Sequence, residues 1–234
     1  MPLVRLLPPL LEFDVAPYRL SGVVYGTLLN HEAALQALGD AAHAAPYKAA
    51  PRAPVLYLKP RNTLSTHGGA IAVPADAPEL ETGAALGIVI TQAACRVSAE
   101  QALQYVAGYT IVNDVRVPHD VFYRPSIRFN ARDGFCSIGP VVVPRAAIAD
   151  PDDLAVQVYV DGTLQQQTTT GRRVRGVARL LADVTEFMTL LPGDVLLLGA
   201  SAGAPRVRAG QHCRIVIDGI GELVNHFTPE GHPA

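Results

Sequence analysis

The chain has 234 residues, 49% of them hydrophobic and only 17% charged, with a formal net charge of −2. That is enough apolar material for a sizeable core, and intrinsic disorder is not its default state. Near-neutral charge without basic runs leaves no electrostatic footprint for nucleic acid or an anionic membrane surface. Residues 1–20 hold four of the nineteen prolines and read as an extended arm whose leucines dock elsewhere or on a partner. The broken leucine run is too short and too kinked for a transmembrane helix or a secretion signal, which points to the cytoplasm. Cys95, Cys136 and Cys213 are odd in number and lack CxxC spacing, so they are expected as small buried hydrophobes rather than a disulfide framework or a zinc site.

SGVVYGTLLN (residues 21–30) predicts a strand, followed by an Ala-rich helix in HEAALQALGDAAHAA. His31 and His43 lie on or beside that helix with no metal-ligand company four residues on, which suits surface or capping roles. PYKAAPRAP is a breaker-rich link, and VLYLKP is a strand ending in Lys59. Lys59 and Arg61 flank a proline at the mouth of a loop. They are either solvated loop cations or a carboxylate clamp, for which an Arg fork is suited. GGAIAVPADAP reads as a strand stopped by Pro74 and Pro78.

The central stretch runs from Glu81 to Pro140. Leu86 to Thr91 has the apolar, β-branched pattern of a buried strand. Ser98, with Gln101 three residues on, forms a capping-box signature that predicts a helix through SAEQALQYVAGY, ended by Gly108. YTIVNDV is then a short strand delivering Asn113 and Asp114 at its end, where they either cap a turn or present a carboxylate to a cleft.

Further on, LAVQVYVDGTLQQQTTT is the strongest hairpin signal, turning at Asp161-Gly162. VARLLADVTEFMTLL carries Val177, Leu180, Leu181, Val184, Phe187 and Met188 at the spacing of an amphipathic core helix. LLPGDVLLLGASAGAP is a turn, a buried strand and a small-residue loop, and HCRIVIDGIGELVNHF closes as a hairpin around Asp218-Gly219. Without repeats or a splitting linker, residues 21–234 are expected to form a single domain of many strands and few helices.

Four segments together, KPRNTL (59–64), VAGYTIVND (106–114), FYRP with RDGF (122–135) and LLPGDVLLLG (190–199), resemble the fumarylacetoacetate hydrolase family over roughly residues 22–227. The resemblance implies a mainly β fold with a few helices and a β-roll-like core. Within the family the likeness is to a branch built of two tandem homologous halves, with this chain similar to the amino-terminal half. The implied activity is that of an isomerase/decarboxylase subunit acting on open-chain unsaturated di- and tricarboxylic acids. Mg²⁺ or Mn²⁺ would be held by this chain or only by a partner subunit, in a homo-oligomer or a heteromer.

Departures from the family pattern fall on its working side chains. The family's Glu-x-Glu metal pair aligns with Gly83 and Ala85, leaving Asp114 as the residual ligand. The Lys expected before RDG is Asn130, the lid His falls at or near Ala34, and Leu198 replaces the first Thr of a TGTPxG loop. Glu79 and Glu81 form another Glu-x-Glu, but four residues upstream, a displacement of roughly 13 Å. Metal–oxygen bonds of about 2.1–2.5 Å cannot absorb that unless the strand register shifts. Lys59, Arg61 and Arg124 would be substrate-carboxylate clamps. Gln166 would be an orienting amide, though a polar strand facing water accounts for QQQTTT as well. No catalytic acid or base is assigned. A non-catalytic scaffold subunit and an acylpyruvate-type carbon–carbon hydrolase remain alternatives.

Overall fold

The computed structural model describes residues 20, 23–119 and 126–231. Apart from the buried Leu20, the expected arm over residues 1–20 lies outside the described residues, as does Arg124. In chain order the first elements are β1 (Val24–Leu28), α1 (Glu32–Ala37), β2 (Val55–Lys59), β3 (Leu64–Thr66), β4 (Ala70–Val73), β5 (Leu80–Glu81), β6 (Ala84–Ile90) and β7 (Val106–Asp114). They are followed by α2 (Ile127–Asn130), β8 (Cys136–Pro144), β9 (Ala155–Val160), β10 (Thr163–Thr169) and α3 (Val177–Thr185). The last are β11 (Val195–Leu197), β12 (Arg206–Val207), β13 (His212–Ile217) and β14 (Gly221–Pro229). The fold is mainly β, as expected.

One sheet has the order β2-β1-β11-β6-β7-β8-β3, a second has the order β10-β9-β13-β14-β4, and β5 pairs with β12. Every residue of β6 is buried, the mark of a strand covered on both faces. Side chains alternate along it. Leu86, Ile88 and Ile90 join Val158, Ile215 and Phe227 in the main core, while Ala85 and Val89 join Val24, Val112 and Ile138 in a smaller cluster. From α3, Val177, Leu180, Leu181 and Val184 enter the main core, as their spacing predicts. Phe187 lies past the helix end and is exposed, and Met188 is only partly buried. The β9–β10 hairpin turns at Asp161 (φ 49°) and Gly162 (φ 78°), both left-handed as a tight type I′ turn requires.

The capping-box segment departs from its expected helix. Only a 3-10 turn, Ala102–Tyr105, forms before β7 begins at Val106. Val106 pairs with Ile90 and Gly108 with Pro144, so the residues a longer helix needs are held in the sheet by the β-branched run that follows. Gly108 belongs there because a Cβ on it would lie 2.2 Å from the Val143 carbonyl oxygen. Cys136 and Cys213 are buried as expected, but Cys95 is exposed. No helix among the described residues is long and apolar enough to cross a membrane.

Candidate functional site: a cleft beside the end of the central strands

The pairing of β6 with β7 decides what can surround Asp114. Ala84 lies opposite Asn113, Asp114 N donates to Gly83 O at 2.9 Å, and Glu81 bridges Arg116, so the register runs without a slip through this end. Gly83 is therefore the residue beside Asp114. The shift that would bring Glu79 and Glu81 to the site is not present. Glu81 pairs instead with Arg116 at 2.6 Å, and Glu79 with Arg206 and Arg208.

Tyr57 and Lys59, two residues apart on β2, share a face and both reach Asp114. The Lys59 ammonium sits 2.6 Å from Asp114 Oδ1, and the Tyr57 hydroxyl donates to Oδ2. Tyr57 can lie this close to the sheet because its partner across the β1–β2 ladder is Gly26; a Cβ there would be 2.0 Å from the ring. Lys59 is almost fully buried and also donates to the carbonyls of Val115 (2.8 Å), Asn130 (2.8 Å) and Phe135 (3.0 Å). Three ammonium hydrogens thus face four oxygens, and none is left for a ligand. The same contacts tie Val115, Asn130 and Phe135 to the end of β2. Burial, with the Asp114 charge beside it, pushes the Tyr57 hydroxyl well above the usual tyrosine range, so it stays a donor. Burial pushes the neighbouring Cys136 thiol up to about 12, which keeps it protonated and unreactive.

A divalent cation does not fit this arrangement. The residues across from the end of β7 are Gly83 and the buried Ala85, which offer no ligand side chain, and a Cβ at Gly83 would already stand 2.5 Å from Asp114 O. The remaining carboxylate has one oxygen on an ammonium and the other on a hydroxyl. Among the described residues no group of three or more His, Cys, Asp or Glu is placed to hold a metal ion.

Beside Asp114 lies a cleft of about 190 Å³, lined among others by Thr27, Ala34, Tyr57, Arg116 and Ser201. Ala34 contributes only a methyl group to this lining. The wall formed by the small-residue loop after β11 is held by buried Asn30, whose side chain bonds Leu198 O (2.9 Å), Arg175 O (2.9 Å) and Arg175 N (3.0 Å). That clamp brings residues 172–175 against the start of α1. His31 then pairs with Arg173, and Arg173 Nη2 lies 3.4 Å from Ser201 Oγ on the cleft wall.

The expected site residues scatter. Lys59 is inside the site but consumed by protein oxygens. Arg61 is exposed and lines a separate groove of about 610 Å³ together with Asn130, Ile127 and Leu58. Gln166 sits at a bulge in β10 and donates to Ala202 O at 2.8 Å, propping the small-residue loop. His31 caps α1, accepting from Ala33 N, but is buried rather than on the surface; His43 is exposed. Tyr57, Arg116, Arg173 and Ser201 were not among the sequence candidates. Strand parity with Lys59 is the signal that would have found Tyr57.

Residues 23–228 match the family model described as fumarylacetoacetate (FAA) hydrolase, C-terminal. The chain is 35% identical over 211 residues to the 4-hydroxyphenylacetate degradation bifunctional isomerase/decarboxylase of Escherichia coli, a stretch covering 90% of this chain and 48% of that protein. It thus spans about half the length of the curated relatives it matches. Among solved structures it is similar to 5-carboxymethyl-2-hydroxymuconate delta-isomerase from Mycobacterium smegmatis, with a TM-score of 0.76, 31% identity and coverage of 97% of this chain and 83% of that one. A fumarylpyruvate hydrolase from Pseudomonas aeruginosa, solved with Mn²⁺ and pyruvate, shares the fold at a TM-score of 0.81 and 23% identity, covering 97% of this chain and 100% of that one.

Proposed function

This chain belongs to the fumarylacetoacetate hydrolase family, and from that premise we propose that it is a subunit of a 4-hydroxyphenylacetate-catabolic isomerase/decarboxylase, with a degenerate metal site of its own. The reaction would be decarboxylation of 5-oxopent-3-ene-1,2,5-tricarboxylate and isomerisation of the resulting 2-hydroxyhepta-2,4-diene-1,7-dioate. Such chemistry calls for a divalent ion to hold a 2-oxo acid and stabilise enolate charge. The observation that carries the reading is the state of Asp114, whose two oxygens are taken by Lys59 and Tyr57 while Gly83 and Ala85 stand where ligands would be needed.

In this account the chain acts as the scaffold half of a heteromer, and a homologous subunit binds Mg²⁺ or Mn²⁺. Arg61 and Arg124 would serve as cations for substrate carboxylates, and Gln166 orients the cleft loop through Ala202 O. The acylpyruvate hydrolase alternative needs the same missing carboxylates and gains nothing from a neighbour that shares the fold alone.

The test is to follow the ultraviolet absorbance of the conjugated dienoate with this chain alone in Mg²⁺ or Mn²⁺, then with the homologous subunit added. Silence alone and activity gained or raised on mixing is the expected result. Turnover by this chain alone, lost in Asp114→Ala, would sink the scaffold account.

A further inference from the structure

We propose that His31, Arg173 and Ser201 form a binding site for one carboxylate group of a small organic acid, set in the wall of the cleft that also carries Asp114. The ligand class rests on the functional reading above; the site itself rests on hydrogen-bond bookkeeping. Val174 N donates to Asn30 O (2.9 Å) and Glu32 N to Arg172 O (3.2 Å), so His31 and Arg173 face each other between those bonds as the close, non-hydrogen-bonded kind of antiparallel pair. Directly opposed residues of such a pair project their side chains on the same side. Both residues are more than nine-tenths buried, at 5% and 8% exposure.

The unpaired atoms there are all donors. His31 Nδ1 accepts from Ala33 N at 3.2 Å, which puts the imidazole proton on Nε2, and that N–H has no acceptor. Arg173 Nε and Nη1 are likewise buried without partners. Asp152 is the nearby acid that acts on the guanidinium, but its carboxylate is engaged on Val177 N at 2.8 Å and accepts nothing from Nε or Nη1. Buried polar groups are almost always satisfied, so three orphaned donors around one cation mark a place for an acceptor that is also an anion. A carboxylate fits, since it has two oxygens, no hydrogen to donate, and a charge that guanidinium favours. Burial without a bonded counter-ion holds the Arg173 guanidinium down to about 10, as expected of a cation short of its partner.

The approach is through Ser201. This residue lines the cleft, its hydroxyl lies 3.4 Å from Arg173 Nη2, and its loop is bounded by Gly199 and Gly203, both at positive φ. A carboxylic acid lying in the cleft can thus present one end to Arg173 and His31 past this hydroxyl.

Isothermal titration of the full chain with pyruvate and with succinate, in metal-free buffer containing chelator, tests the site without turnover. Inorganic phosphate at equal ionic strength is the comparison anion. Saturable carboxylate binding is expected, weakened at least tenfold by Arg173→Gln. A severalfold loss is expected from His31→Asn, which keeps a capping acceptor and removes the Nε2 donor. If Arg173→Gln fails to fold by circular dichroism, His31→Asn and Ser201→Ala carry the test. No saturable carboxylate binding by the parent chain, variants that bind as the parent does, or binding of phosphate alone would each overturn the assignment. Failure of the heteromer reading would appear instead as absent turnover on mixing, with this binding unchanged.

Discussion

Asp114 and Arg173 are buried charges beside one cleft, yet only Asp114 has a partner from its own chain on each of its charged atoms. Around the carboxylate, Lys59 and Tyr57 fill both oxygens, and the ammonium is saturated in turn by three backbone carbonyls. Around the guanidinium, two nitrogens and a neighbouring imidazole N–H face no acceptor. A charge already paired inside the fold makes no demand on a ligand, whereas an unpaired one does. The chemical interest of the cleft therefore lies less in the paired Asp114 carboxylate than in the unpaired donors of Arg173 and His31.

The largest expected effect comes from breaking the satisfied side. Lys59→Met strands the buried Asp114 charge and three carbonyls, and should cost about 3–5 kcal/mol in denaturant unfolding. Tyr57→Phe removes only the hydroxyl on Asp114 Oδ2 and should cost about 1.5–3 kcal/mol by the same measurement, the magnitude of a hydrogen bond to a charged group. Gly83→Ala forces a methyl toward Asp114 O, an overpacking expected to cost about 1–3 kcal/mol. A stable Gly83→Ala variant would mean that the ladder yields more easily than the close approach suggests.

The smallest effect is a pH dependence on the unsatisfied side. Burial and the neighbouring Arg173 and Arg172 charges hold His31 below its ordinary 6.5, so the unfolded chain binds the proton more readily than the folded one. The stabilisation is therefore complete above about 6.5 and is lost as pH falls through the lower folded value. Thermal unfolding followed from pH 7.5 to 5 should show this decline, and His31→Asn should flatten it.

Local pattern carried most of the fold. The buried run of β6, the Asp-Gly hairpin of β9 and β10 and the apolar stripe of α3 are each visible as a short periodicity; the first two form where it places them, and α3 does so only as far as Thr185, leaving Phe187 exposed beyond it. The segment after Ser98 forms no long helix because a capping signature is worth little against a neighbouring strand that extends the sheet to Val106. The site was less legible. Small residues at Gly83 and Ala85 show in the sequence what the cleft lacks, but not that Lys59 is used up, since its partners come from residues 114–135. The His31–Arg173 pair joins positions 142 apart with no motif around either, so only the folded chain displays it.

The central claim is that the Asp114 pocket is complete without a divalent ion, and Mn²⁺ titration of the purified chain, read by electron paramagnetic resonance of the free ion, tests it most directly. The account predicts a free-ion signal that rises in proportion to added Mn²⁺ with no saturable uptake at micromolar concentrations. Stoichiometric uptake that disappears in a folded Asp114→Asn variant would contradict it, and would mean that Lys59 and Tyr57 give way to the metal.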